Sequence, residues 1–164
     1  MIITSFNIRG LGGSQKFNSL KRCFDLIKAD VILIQGTMIV GVKACAFFLK
    51  LFPGCDVCSI DVVGMSGGLL SIWNPIVAVF EAYLSPAGIL LEGQVKGFED
   101  SLNIINCYRP YKEREMFWNR VVDSGVLKGK NTFLGGDLNF TLSLEEVWGS
   151  QKLDPLSVYF SNLL

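Results

Sequence analysis

Asn131-Thr132-Phe133-Leu134-Gly135-Gly136-Asp137-Leu138-Asn139 is the stretch whose reading decides the fold. A short run of β-forming apolar residues passes into two glycines and then two polar side chains, the pattern of a buried strand that ends at a polar surface. Glycine carries no Cβ, so another backbone or a ligand can come close at Gly135 and Gly136. If the chain stays extended past Gly136, alternation with period two sends Asp137 and Asn139 to the same side. A carboxylate able to take a proton would then stand beside an amide able to donate to an oxyanion. An Asp/Asn turn closing a strand accounts for the same residues, so the other strand ends have to decide.

Working outward, several apolar segments close in the same way. Met1 to Asn7 reads as a strand with Ile3, Ser5 and Asn7 on one face, followed by a glycine-rich loop at Arg9–Gly13 that lacks a P-loop lysine. Val31–Gln35 is an apolar strand ending in Gln35-Gly36, and Leu102–Tyr108 ends with Asn106 and Tyr108 on one face. Between these lie a helix opened by Ser14, with Phe17, Leu20, Phe24 and Ile27 at helical spacing, and a helix over 40–52 burying Ala44, Phe47, Phe48 and Leu51. Turn signals at Gly64, Asn74-Pro75 and Pro86-Ala87-Gly88 separate strands expected at about 56–63, 68–73, 76–84 and 88–96. A helix from about Tyr111 to Gly125 buries Phe117, Trp118, Val121 and Val122, and Asp154-Pro155 opens a last helix bearing Leu156, Tyr159, Phe160 and Leu163. The chain stops inside that helix and is expected to be cut short there.

Strands interleaved with helices predict an α/β layered fold in a single domain spanning 1–164. Functional groups in such folds collect where strand ends meet loops. Asn7, Gln35-Gly36, Asn106 with Tyr108, and Asp137 with Asn139 are therefore expected to share one cleft. With 15 basic and 15 acidic residues the net charge is zero, which gives no general basic footprint for nucleic acid. The chain has no histidine, so imidazole cannot serve as base or zinc ligand from within it. Five cysteines without a framework spacing fit an intracellular, reducing compartment, nucleus or cytoplasm, with most of them buried as small apolar residues; Cys55 and Cys58 form a lone pair that completes no metal site. The uncharged run from Val62 to Phe80 is broken by Gly64, Gly67, Gly68 and Asn74-Pro75 and reads as buried strands, not a membrane span. Trp73, Trp118 and Trp148 are expected in cores, and Lys16, Lys21, Arg22 and Lys28 on a solvated helix face.

Five blocks in order resemble the endonuclease/exonuclease/phosphatase superfamily, the DNase I-like proteins, and most of all the endonuclease domains of plant LINE-type retrotransposons. They are Ser5-Phe6-Asn7-Ile8-Arg9-Gly10-Leu11-Gly12, Asp30–Thr37, Ser66-Gly67-Gly68-Leu69-Leu70, Asn106-Cys107-Tyr108-Arg109-Pro110 and Gly135–Asn139. The resemblance implies a DNase I-like four-layer α/β sandwich with its C-terminal part missing, and magnesium-dependent phosphodiester hydrolysis of nucleic acid, DNA above all. It implies that Asp137 orients or deprotonates the attacking water. Asn7, Asn106, Tyr108 and Asn139 would hold the phosphate, and Asn7 with Asp137 the metal. Magnesium favours hard oxygen ligands, which fits those side chains. The chain also departs from the pattern. Gly36 stands where the family has its metal-binding glutamate, Arg109 replaces a usual glycine, and the C-terminal Ser-Asp-His block is absent. A truncated, inactive endonuclease-like domain is therefore expected, with two alternatives. One is a residual phosphodiesterase using Asp137 alone or a recruited Glu81 or Glu92; the other is an interaction module that binds a protein partner or itself through uncovered strand edges.

Overall fold

The computed structural model describes every residue except 11–13, 64–65, 109–112, 147–148, 150–151 and 164. Eight strands form two four-stranded sheets among the described residues. β1 (Ile3–Asn7), β2 (Val31–Gln35), β3 (Asp56–Val63) and β4 (Ser66–Trp73) make the first, in the order β1-β2-β4-β3. β5 (Ala78–Ser85), β6 (Gly88–Val95), β7 (Leu102–Tyr108) and β8 (Thr132–Asp137) make the second, in sequence order. Each sheet holds one parallel pair, β1 with β2 and β7 with β8, and two antiparallel pairs, β2 with β4 and β3 with β4 in the first and β5 with β6 and β6 with β7 in the second. Parallel neighbours need a crossover, and α1 (Ser14–Ile27) and α3 (Arg114–Asp123) supply the two crossovers. α2 (Gly41–Leu51) joins β2 to β3, and α4 (Ser157–Leu163) follows β8.

Side-chain alternation along the strands sorts the core into three slabs. Val31, Leu33, Leu69, Ile89, Leu91 and Ile104 meet between the sheets. Ile32, Ile34, Leu70 and Ile72 face the other way, onto Leu20 and Phe24 of α1 and Ala44 and Phe48 of α2. Ile105 and Cys107 of the second sheet pack on Trp118 and Val121 of α3 and Phe160 of α4. Neighbouring residues on one strand thus serve different slabs, as period-two geometry requires. The result is helix, sheet, sheet, helix: the four-layer sandwich that the resemblance implies. Every residue of β2 is buried, which is why that strand reads as an unbroken apolar run.

The described residues of the run Val62–Phe80 are strand and turn, and no helix among the described residues is long and apolar enough to cross a membrane. Trp73 and Trp118 are core residues, while Trp148 lies outside the described residues. The cysteine expectation needs correction: Cys107 alone is fully buried, and Cys23, Cys45, Cys55 and Cys58 are half-buried, the last three at the margins of the slabs. Burial raises the Cys55 and Cys58 thiols above their ordinary value, which favours the protonated form.

Candidate functional site

The site is built from two parallel pairs. Asn7 stands opposite Gln35 where β1 and β2 end together, and Tyr108 stands opposite Asp137 where β7 and β8 end together. Face-to-face packing of the sheets brings these two ends into contact. The Asn7 amide Nδ2 donates to Asp137 Oδ2 at 2.5 Å, joining positions 130 residues apart. Gly136, just before Asp137, passes so close to β7 that a Cβ there would lie 1.9 Å from the Cys107 carbonyl oxygen. Only glycine lets β8 deliver its carboxylate by this route.

Gly36 lies at the same spot. A Cβ added to it would come within 3.0 Å of Asn7 Oδ1 and 3.3 Å of the Arg9 backbone nitrogen, so position 36 faces Asn7. Its φ of 67° is in the left-handed region that favours glycine. The place where the resemblance expects a glutamate is thus taken by a residue the local backbone itself selects. Gln35 offers no substitute. It is buried, donating from Nε2 to Asn106 Oδ1 at 2.7 Å and to Ser5 Oγ at 3.1 Å.

Two expectations are corrected. Asn106 does not face a phosphate: it is fully buried between the sheets, and its Nδ2 donates to the Leu70 carbonyl at 3.0 Å and to Ser71 Oγ at 3.1 Å. An unpaired amide there would be costly, so the whole side chain is committed to cross-linking the sheets. Nor does extended backbone carry Asn139 to the side of Asp137. β8 ends at Asp137, and Asn139 turns into the left-handed region with φ of 52°, a conformation asparagine tolerates better than most residues. Tyr108 does flank Asp137, and it also lines an apolar groove of about 440 Å³ with Ile60, Leu69, Ala87 and Phe117. Arg109 lies outside the described residues.

Glu81 and Glu92 cannot be recruited to this cleft. They oppose each other on β5 and β6, and Glu92 pairs with Asn103, five residues or about 17 Å along β7 from Tyr108. Among the described residues, the oxygen donors placed at the Asn7–Asp137 contact are the Asp137 carboxylate, with an oxygen already engaged by Asn7, and the Asn7 side-chain carbonyl oxygen facing Gly36. Among the described residues no three His, Cys, Asp or Glu side chains gather. Magnesium prefers a near-octahedral shell of oxygens, and these donors do not fit a resident ion.

Arg114 had no role in the sequence reading, yet it ties the region together. It pairs through both terminal guanidinium nitrogens with Asp154, donates to the Asn139 carbonyl at 3.2 Å and lies 5.9 Å over the Phe160 ring. The signal was present: an arginine in the first turn of α3 opposes the helix dipole and needs a partner to compensate it. The ion pair holds the Asp154 carboxyl below its ordinary value of 3.8.

No family model matches the chain, and no curated protein does. Solved structures do. The endonuclease domain of TRAS1, a telomere-specific non-LTR retrotransposon, superposes with a TM-score of 0.68 at 17% identity, over 98% of this chain and 69% of that one. The 3′ phosphatase NExo from Neisseria, bound to a product DNA hairpin, gives 0.70 at 15% over 98% and 69%. The catalytic domain of Xenopus laevis APE2 gives 0.68 at 17% over 97% and 64%. The chain has the DNase I-like fold. The Asn7–Asp137 contact joins the ends of a strand from each sheet of that fold. The chain spans between three fifths and seven tenths of the length of these three DNase I-like neighbours.

Proposed function

We propose that this chain is a degenerate endonuclease-like domain: it retains polar strand ends suited to a nucleic-acid phosphate, DNA above all, and does not hydrolyse the phosphodiester. The observation that carries the proposal is Gly36, a glycine in left-handed backbone, pointing at Asn7 where the resemblance places the magnesium-binding glutamate. Removing one transition-state donor commonly costs a hundred- to thousand-fold in rate, and this chain lacks both that carboxylate and any histidine. What remains suits contact with a phosphate. The Asn7 amide is oriented by Asp137, and exposed Arg9 lies two residues beyond Asn7 with the Lys16 ammonium on its carbonyl at 3.2 Å.

The test is nicking of supercoiled DNA with magnesium present. Wild type is expected at the level of Asp137→Ala. Turnover in wild type that vanishes in Asp137→Ala refutes the proposal in favour of a residual phosphodiesterase.

A second reading, an interaction module, is favoured by one observation. β5 is an edge strand whose Val79, Tyr83 and Leu84 are 71%, 45% and 72% exposed. Long apolar edges invite strand pairing. Sedimentation of the chain over a range of concentrations distinguishes the two readings, since a monomer throughout removes the second.

A further inference from the structure

Main-chain atoms just past Asp137 are fastened by a side chain from another layer. Arg114, in the first turn of α3, donates to the Asn139 carbonyl at 3.2 Å. The same guanidinium is itself fixed on two sides, by the paired bonds to Asp154 and by the Phe160 ring beneath it. Asp154 is held in turn, accepting the Leu156 backbone N–H at 2.9 Å. On the chain side, Leu138 and Phe140 flank Asn139 and pack into the outer slab, with Phe140 stacked on Phe160 at 4.2 Å. Asn139 keeps its left-handed φ within this frame, and residues in sparsely populated backbone regions persist only where their surroundings over-determine them.

We infer that Arg114 is a positioning residue for the cleft: by gripping the Asn139 carbonyl it sets where β8 ends, and so sets the Asp137 carboxylate against Asn7. It rests on the reading of the Asn7–Asp137 contact as the phosphate site. A lysine would carry the charge without the planar fork that holds Asp154 and Asn139 together, so the two residues are not equivalent here.

Two measurements on the full chain test the inference. The first uses no ligand: the Asn7 side-chain amide resonance, identified by its change in Asp137→Asn, is followed in Arg114→Lys and in Phe48→Leu, a core change in the opposite helical layer. A shift in Arg114→Lys and none in Phe48→Leu is expected; an unchanged Asn7 resonance in Arg114→Lys overturns the inference. The second is fluorescence anisotropy of a labelled ten-nucleotide single-stranded DNA at low salt, with thermal melts confirming that each variant is folded. Arg114→Met is expected to weaken binding about tenfold, and the Arg114→Met/Asn7→Ala double variant to lose no more than Asn7→Ala alone. Additive losses, or an affinity unchanged by Arg114→Met, overturn it. If wild type binds no DNA, the proposed function fails, and the Asn7 resonance still decides the role of Arg114.

Discussion

At the scale of single residues, two positions carry opposite lessons. Gly36 is required by its backbone: with φ of 67° and Asn7 Oδ1 3.0 Å from the Cβ place, even a methyl group is strained. Gly36→Ala is expected to lower the unfolding free energy by about 1–2 kcal/mol, read from urea denaturation. A stability equal to wild type would show that the backbone relaxes easily and that glycine is not demanded there. Asn106 is polar for the sake of the core. Replacing it with alanine strands Gln35 and Ser71 between the sheets, and a loss of about 3 kcal/mol is expected in the same assay. A loss under 1 kcal/mol would return Asn106 to consideration as a surface ligand. Sequence reading found Asn106 as a polar group near a strand end but could not see the second sheet that buries it.

At the scale of elements, α3, α4 and the end of β8 depend on the Arg114–Asp154 pair. The folded-state Asp154 carboxyl lies below the ordinary 3.8, chiefly because Arg114 donates to its ionised form. The stability it contributes is therefore complete above 3.8 and disappears as pH falls through the lower, folded value. Urea midpoints measured from pH 5 downward should fall more steeply in wild type than in Asp154→Asn, which has no proton to take up. Parallel slopes would show that the pair contributes nothing. Phe160 is wholly buried against Trp118 and Phe140, and Phe160→Ala is expected to cost about 3–5 kcal/mol and to detach α4 first, a loss that helical circular dichroism follows. Elements were the most legible part of the chain. β3, β5, β6 and β7 lie within two residues of expectation, because turn residues punctuate apolar runs there, and helical spacing gave the inward Phe24 of α1 and Phe47 and Phe48 of α2, the Phe17 side chain lying outside the description.

At the scale of the whole molecule, the free edge of β5 matters most. Its outward Tyr83 hydroxyl bonds to Glu81, and Glu81 faces Glu92 across the ladder, so a single acidic corner interrupts an otherwise apolar edge. If that edge pairs with a second copy, Leu84→Lys is expected to abolish a concentration-dependent dimer in sedimentation while leaving the melting temperature within a few degrees. A dimer that survives the lysine would place the contact elsewhere.

What the sequence determined by itself was the alternation of strands and helices, the polar termini at Asn7, Tyr108 and Asp137, and the glycine at position 36. Those are local properties: periodicity, turn chemistry and residue identity depend on neighbours a few positions away. Only the tertiary structure decided which polar ends meet. Asn7 touches Asp137 because two sheets pack face to face, Asn106 and Gln35 vanish into the space between them, and the Asn139 carbonyl accepts from a guanidinium of another layer. Contacts spanning 25 to 130 residues are set by packing, which no local pattern encodes.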